Sequence, residues 1–525
     1  MSAGAIAAER PAVPVVNPWI VATAVMFATF MEILDTTVVN VSLPHIAGSL
    51  SASIDESTWA LTSYLVANAI VLPLTGWLAN YFGRKRLLLI SISGFTMASL
   101  LCGLAPTLSA LVVFRIMQGL SGGALQTLSQ AVLLEAFPPR DRGKAMGFWG
   151  LGIVVAPILG PVVGGWLTDS YSWRWVFYIN LPVGLASVVM AKLFIFDPPY
   201  VSRKSESIDY WGIGLLAVGI GALQILLDLG SQHDWFASNF IQVLAGLAVV
   251  GLAVFIWHEL HTDHPVVDLR VFKERTYSTG VFLMTVLGFV LYGSLVLLPI
   301  MLQTLLGYPS LQAGIAMAPR GMGSFLAMPV VGMLVAKVDP RRLLALGICG
   351  GALTLYWLGN LDLSAGYWDV FWPQLIQGSA MALLFVPLTT VTMDSIRPER
   401  MGNATSLFNL MRNLGGSIGI AATGTMLARR SQANTAILGS HVSSYDAVAR
   451  GMFERMQAAF MAAGADAVTA MQRAEAAMFG MVQRQATMVA FVSIFQLLAV
   501  VFVAMVPLVL LMKRPRSRAR VEAAH

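Results

Sequence analysis

Long apolar stretches alternate with short polar loops along almost the whole chain. A helix needs about 20 apolar residues to cross the hydrocarbon core of a bilayer. Fourteen segments reach that length: 19–43, 58–80, 87–105, 108–136, 145–168, 175–196, 211–229, 238–258, 278–302, 311–336, 343–361, 369–393, 404–427 and 487–511. Span length, and the need to satisfy backbone groups inside each segment in lipid, predict helices rather than strands. The first stretch runs from Trp19 to Leu43, longer than the apolar part of a signal peptide and with no small-residue cleavage site after it. It reads as a retained first helix. The expected fold class is an all-α polytopic membrane protein.

Basic residues test this alternation independently. One set of loops holds Arg84, Lys85 and Arg86; Arg140, Arg142 and Lys144; Arg203 and Lys204; Arg270, Lys273 and Arg275; Lys337, Arg341 and Arg342; Arg397 and Arg400. The tail residues Lys513, Arg514, Arg516, Arg518 and Arg520 join them, whereas the short loops of the other set hold only Arg174. The positive-inside rule then predicts both termini in the cytoplasm, as an even number of spans requires.

Composition agrees. Hydrophobic residues make up 57% and charged residues 11% of the 525, whereas soluble domains carry about a quarter charged. The net charge of +6 comes from short clusters between apolar spans rather than a continuous basic face, so it reads as membrane orientation and not nucleic-acid binding. Cys102 and Cys349 both lie inside apolar spans, which argues against a disulfide framework or a cysteine-rich metal site.

The chain repeats itself. Pro73, Gly76, Lys85 and Arg86 recur 256 residues later as Pro329, Gly332, Arg341 and Arg342. Gln118, Gly119, Glu135, Pro139, Gly143 and Ala145 recur at an offset of 259 as Gln377, Gly378, Asp394, Pro398, Gly402 and Ala404. Matching loops are separated by eight spans, so the repeat keeps its orientation, and fourteen helices divide as six, two inserted, then six. Two parallel six-helix halves would be related by an axis along the membrane normal. The expected organisation is a cytoplasmic tail (1–18), a six-helix bundle (19–196), a linker with two inserted helices (197–277), a second six-helix bundle (278–512) and a basic cytoplasmic tail (513–525). Within the second bundle, 428–485 breaks the short-loop pattern. It reads as an outer helical hairpin, either packed on itself or serving as a docking surface for a periplasmic partner.

Charged side chains at membrane depth are costly and therefore candidates for function. The first span carries Glu32 and Asp35, three residues apart and so on one helix face. Arg115 in the fourth span lies at a depth similar to Asp35, about seven and eight residues from the respective outer ends at a 1.5 Å rise. Asp35 and Glu32 are expected to exchange protons while Arg115 biases their affinity; a static buried ion pair is the alternative. Arg320 and Arg412, embedded in the tenth and thirteenth spans, would either line the pathway or cap a helix end by bonding carbonyls. The loop from Gly76 through Gly83 to Arg84, Lys85 and Arg86 is expected to gate, with Glu135 and Asp394 as acidic partners for its cations. The fifth span, with Gly160 and Pro161, combines proline bends with close glycine packing.

Together these segments resemble the major facilitator superfamily, and within it the fourteen-helix drug:proton antiporter branch of EmrB/QacA type, over nearly the whole chain. Leu34-Asp35-Thr36-Thr37-Val38-Val39-Asn40-Val41 is similar to that branch's first-helix signature. Gly76 to Arg86 resembles the superfamily gating motif, with Asn80 where that motif usually has aspartate. Arg115, Gln118 and Gly119 match the fourth-helix motif, which implies a proton-coupling role for Arg115. The run from Gly152 to Gly165, including Gly160-Pro161, resembles the antiporter motif and implies export. Trp173 to Pro182, Ala318 to Gly321, Arg412 to Ser417 and Gln483 to Ala486 resemble EmrB-group segments. The resemblance implies a major facilitator fold and export of hydrophobic small molecules or drugs across a bacterial inner membrane. It also implies no cofactor beyond the proton gradient, and work with a periplasmic membrane-fusion adaptor and an outer-membrane channel.

Other readings compete less well. His258-Glu259-Leu260-His261-Thr262-Asp263-His264 has histidines three apart where a zinc-protease helix needs four. A solvated helix end is expected there rather than a metal site. No phosphate-binding G-x-x-x-x-G-K-[ST] sequence occurs. A membrane-embedded enzyme would need a polar catalytic constellation at the bilayer surface, which the sequence lacks beyond this histidine cluster. The chain is therefore not expected to be an enzyme, and a stand-alone exporter of one specific metabolite is the remaining alternative.

Overall fold

A computed structural model describes residues 17–138, 140–197, 208–263, 265–443 and 445–512. The tail residues 1–16 and 513–525, Pro139, Arg203, Lys204 and His264 lie outside the described residues. Among the described residues the secondary structure is helical, with no β-strand.

Local chemistry sets where helices begin and break. α1 (Pro18–Ser49) starts with proline in its first turn, and the Trp19 amide donates to Asn17 Oδ1 at 3.0 Å. A short α2 (Ile54–Ser57) leads to α3 (Trp59–Phe82), which stops at Gly83 with φ +86°, a left-handed conformation that glycine adopts without steric cost. α4 (Arg84–Leu104) follows directly. The expected fourth span forms as two pieces, α5 (Leu108–Gly122) and α6 (Leu125–Ala136), broken where Gly123 meets the Asn68 carbonyl of α3. α7 (Arg142–Ser170) contains Pro157 and Pro161 and bends by 41° between Arg142–Pro157 and Leu159–Ser170, as missing backbone donors permit. The expected sixth span is also divided, into α8 (Trp175–Tyr178) and α9 (Asn180–Phe194).

The remaining helices are α10 (Tyr210–Leu229), α11 (Asn239–His261), α12 (Arg275–Thr304), α13 (Ser310–Lys337), α14 (Pro340–Leu358), α15 (Tyr367–Asp394), α16 (Met401–Ser440), α17 (Ala447–Ala462) and α18 (Ala467–Val509). Among the described residues eleven helices are long and apolar enough to cross a membrane, or twelve if the bent α7 counts as one span. The two that stand at the eleventh and thirteenth expected spans, α14 and α16, are formed but too polar to qualify by composition. α14 opens with Arg341 and Arg342, and α16 carries Asn403, Asn409, Arg412 and Asn413.

α1 packs on α7 and α9, α3 on α5, and α4 on α5 and α9; α12 packs on α16 and α18, α13 on α15, and α14 on α15 and α18. Between these groups α7 meets α13 and α15, while α16 meets α3 and α6. α10 pairs with α11 and bridges both groups through α3 and α16. Thr62 of α3 donates to Asp228 of α10, and Gln224 of α10 donates to Ser417 of α16 at 3.1 Å.

Segment 428–485 differs from its expected form. It is not a separate hairpin: α16 runs unbroken to Ser440, and α18 starts at Ala467, twenty residues before its apolar span. At about 1.5 Å per residue these helices reach about 60 Å, twice the roughly 30 Å of bilayer hydrocarbon, so both project well beyond the apolar band. Alanine, arginine, glutamine and methionine favour continued helix where hydrophobicity fades. α17 lies against α18, and the three flank a half-open cavity of about 530 Å³ lined in part by Arg450, Phe453, Met471, Met478 and Phe479.

Candidate polar sites in the membrane interior

Asp35 and Arg115 meet in the interior of the first helix group, 1% and 0% exposed. Arg115 Nη1 donates to Asp35 Oδ2 at 2.6 Å and to Gln118 Oε1 at 2.6 Å, while its Nε donates to the Ala60 carbonyl of α3 at 2.8 Å. The other carboxylate oxygen, Asp35 Oδ1, accepts from Gln118 Nε2 at 3.0 Å and from Asn180 Nδ2 at 2.7 Å. Both amides also donate to Ser99 Oγ of α4, at 2.7 and 3.3 Å. The Tyr64 ring lies 4.2 Å from the guanidinium carbon of Arg115, a cation–π contact. Four helices thus converge on one carboxylate, with neutral donors on one oxygen and a cation on the other.

Glu32 stands one turn away, 8% exposed. Asn68 Nδ2 donates to its Oε1 at 3.1 Å, whereas Oε2 has no hydrogen-bond partner. The expected pairing of Asp35 with Arg115 is therefore present; Glu32 shares the helix face but not the ion pair.

A second polar layer joins the two helix groups. Arg412 Nη2 of α16 donates to Gln126 Oε1 of α6 at 2.7 Å, and Asn409 Nδ2 donates to Gln130 Oε1 at 2.5 Å. Arg412 Nη1 is buried without a partner. Arg320 sits in the eleventh position of α13, 5% exposed, with Nη2 unpartnered. Among the described residues neither arginine donates to a helix-end carbonyl, the bond that the capping alternative requires.

The residues expected to gate gather at one end. Arg84 forms an ion pair with Glu135 at the end of α6, and Arg142 Nε donates to the nearby Leu134 carbonyl at 2.8 Å, a favourable place for cations at a helix C-terminus. The Lys85 amide donates to Asp197 Oδ1 at 2.8 Å and its Nζ to the Lys192 carbonyl at 2.7 Å, so Lys85 ties α4 to the end of α9. Arg86 is exposed, and Asp394 is the last residue of α15. Gly76 lies against the backbone of Gly402 and Asn403, and Gly143 against the Gly332 carbonyl. At this end both helix groups are in backbone contact. Gly160 faces Thr37 of α1, two residues from Asp35, and Pro161 is exposed beside it. At the far end of α11, His258 Nε2 lies 2.7 Å from Asp209 Oδ2.

A family model described as Major Facilitator Superfamily matches residues 25–420. The chain belongs to the major facilitator superfamily. It is 43% identical to the multidrug export protein EmrB of Haemophilus influenzae, over 82% of this chain and 85% of the relative. It is 42% identical to the fatty acid resistance protein FarB of Neisseria gonorrhoeae, over 80% and 83%. A double-tryptophan variant of the transporter XylE has the same fold, with a TM-score of 0.59 at 17% identity, covering 94% of this chain and 99% of that structure. The resemblance seen in the sequence is thereby substantiated, and the architecture is the major facilitator fold.

Several members of this superfamily member's polar network had no assigned role in the sequence reading: Asn180, Ser99, Asn68, Tyr64, Gln126, Gln130 and Asn409. Their signal was available, since each is a polar side chain inside an apolar span. Their partners were not, because pairing depends on which helices are neighbours.

Proposed function

We propose that the chain is a proton-coupled antiporter that exports hydrophobic small molecules across the inner membrane. In this reading the chain has fourteen spans divided six, two and six, and both termini face the cytoplasm. The observation that carries the proposal is the buried Asp35 carboxylate held by Arg115, Gln118 and Asn180. Two amides fix Oδ1, so Oδ2 can exchange the Arg115 guanidinium for a proton without the carboxyl group turning. A small separation of α5 from α1 would take the guanidinium away from Oδ2 and leave that oxygen open to a proton. Glu32, one turn away with a free Oε2, would pass protons along the same helix face. Rocking of the two groups would break the Gly76–Gly402 and Gly143–Gly332 contacts at one end, together with the Arg412–Gln126 and Asn409–Gln130 bonds.

The relatives' names, multidrug export and fatty acid resistance, support a hydrophobic cargo. The helices that project past the apolar band, with exposed Met452, Met471 and Phe479, offer a surface for a periplasmic adaptor leading to an outer-membrane channel. The test is transport by purified protein in liposomes. An imposed pH gradient should drive accumulation of a hydrophobic dye, and a protonophore should abolish it; equal dye flux with and without the gradient would refute proton coupling.

A further inference from the structure

The sequence repeat is also a repeat in contact. A Cβ on Gly119 of α5 would run into the Tyr64 carbonyl and the Asn68 amide of α3; a Cβ on Gly378 of α15 would run into the Arg320 carbonyl and the Ser324 amide of α13. Tyr64 and Asn68 precede Arg320 and Ser324 by 256 residues, and Gly119 precedes Gly378 by 259, the offsets of the sequence repeat. The helix crossing that holds the Asp35 site therefore has a counterpart in the second half. Arg115 and Gln118 correspond there to Gln374 and Gln377, and Tyr64 corresponds to Arg320. Gln374 and Gln377 are 1% and 2% exposed, and Gln374 Nε2 donates to Gln377 Oε1 at 3.2 Å.

The charge balance differs between the two crossings. In the first half a cation from α5 faces an acid from α1. In the second half the cation comes from the other helix, and the acid has no counterpart. α12, α13, α14 and α16 contain no Asp or Glu, and α15 has only Asp369 and Asp394 in its first and last turns. α7, which also packs on α13, contributes only Asp169 near its far end, 3.9 Å from His45. Arg320 is thus a buried guanidinium with an unpartnered N–H and no carboxylate against it among the described residues. A buried charge is tolerated when something pairs with it, and a guanidinium fork is shaped for a carboxylate.

We infer that Arg320, with Gln374 and Gln377, forms a binding site for the anionic head of an amphiphilic cargo, so that the second half binds carboxylates while the first half handles protons. This deepens the transport reading and rests on it. The cargo supplies the counter-charge that the chain lacks, and its apolar tail lies among the neighbouring helices.

The test uses the full chain in phosphatidylcholine nanodiscs, with intrinsic tryptophan fluorescence reporting binding of dodecanoate, dodecanol and dodecyltrimethylammonium, probes that differ only in the head group. Wild type should bind dodecanoate about tenfold or more tightly than dodecanol, as charge-assisted hydrogen bonds allow. Arg320→Gln should remove that preference and leave dodecanol unchanged, and Arg320→Lys should keep part of it. Gln374→Glu, which gives Arg320 a built-in partner, should also abolish the preference while leaving the protein folded, so a folding defect in one variant does not spare the inference. Retention of the preference in Arg320→Gln or Gln374→Glu would overturn it, as would a wild type that does not distinguish dodecanoate from dodecanol. Displacement of dodecanoate by nanodiscs containing phosphatidylglycerol would assign the site to lipid and overturn the cargo reading. Failure of the antiport reading is seen separately, as absence of pH-driven accumulation of the hydrophobic dye in liposomes with carboxylate binding intact.

Discussion

Replacing Asp35 with Asn and Arg115 with Gln, singly and together, measures how strongly the buried pair holds the first half together. The Asp35→Asn amide retains an oxygen that can accept from Gln118 and Asn180, but it sets an NH2 against Arg115 Nη1, which now donates at 2.6 Å. Arg115→Gln leaves the carboxylate without its cation and the Ala60 carbonyl without its donor. Both groups are fully or almost fully buried, so each single change should cost about 3–5 kcal/mol, the usual loss when one member of a buried pair remains uncompensated. The double variant replaces two charges by two amides that can bond each other. Its loss should fall short of the sum by about 2 kcal/mol or more, within the range seen for residues in direct contact. Unfolding of purified protein by denaturant in mixed micelles gives the three values. Additive losses would refute the reasoning, since they would mean that the two side chains stabilise the protein independently.

Two further outcomes follow from the geometry. Gly332→Val places side-chain atoms on the Gly143 carbonyl and the Lys144 Cα, backbone atoms that cannot yield. The strain, about 1–3 kcal/mol for overpacking, should open that end of the interface and speed maleimide labelling of a cysteine introduced at Met328, with unchanged labelling counting against the contact as a gate. Asp466 caps α18, accepting from the Thr469 hydroxyl and, at 2.7 Å, from its amide, bonds that lower its carboxyl below the ordinary value of 3.8. A lowered folded-state value means the cap is intact above the unfolded value and is lost as pH falls through the folded one. Amide exchange in the first turn of α18, corrected for intrinsic rates, should stay slow through mild acid and quicken only below that range. Asp466→Ala should exchange fast already at neutral pH, and equal protection in the two proteins would contradict the cap.

The legible part of this protein was the part that lipid dictates. The all-helical membrane architecture follows from hydrophobic length, which a linear sequence displays directly. The Asp35–Arg115 pairing was also within reach, because depth can be counted along two helices at a fixed rise. What escaped was set by neighbour relations. Asn180 reaches Asp35 only because α9 packs on α1, and Arg412 reaches Gln126 only because α16 crosses α6 between the two halves. The break between α5 and α6 falls where Gly123 meets the Asn68 carbonyl, a contact that no local pattern announces. The run of α16 past 427 was hidden for a different reason. Hydrophobicity ends where the bilayer ends, but helix propensity does not, and the reading followed the former.

Proton-driven accumulation by Asp35→Asn in liposomes bears most directly on the central claim, that a first-helix carboxyl group exchanges the proton that drives export. With an imposed pH gradient, the variant should bind a hydrophobic cargo and exchange it across the bilayer at equal concentrations, yet fail to accumulate it. Accumulation by the variant at the wild-type rate and to the wild-type level would contradict the account.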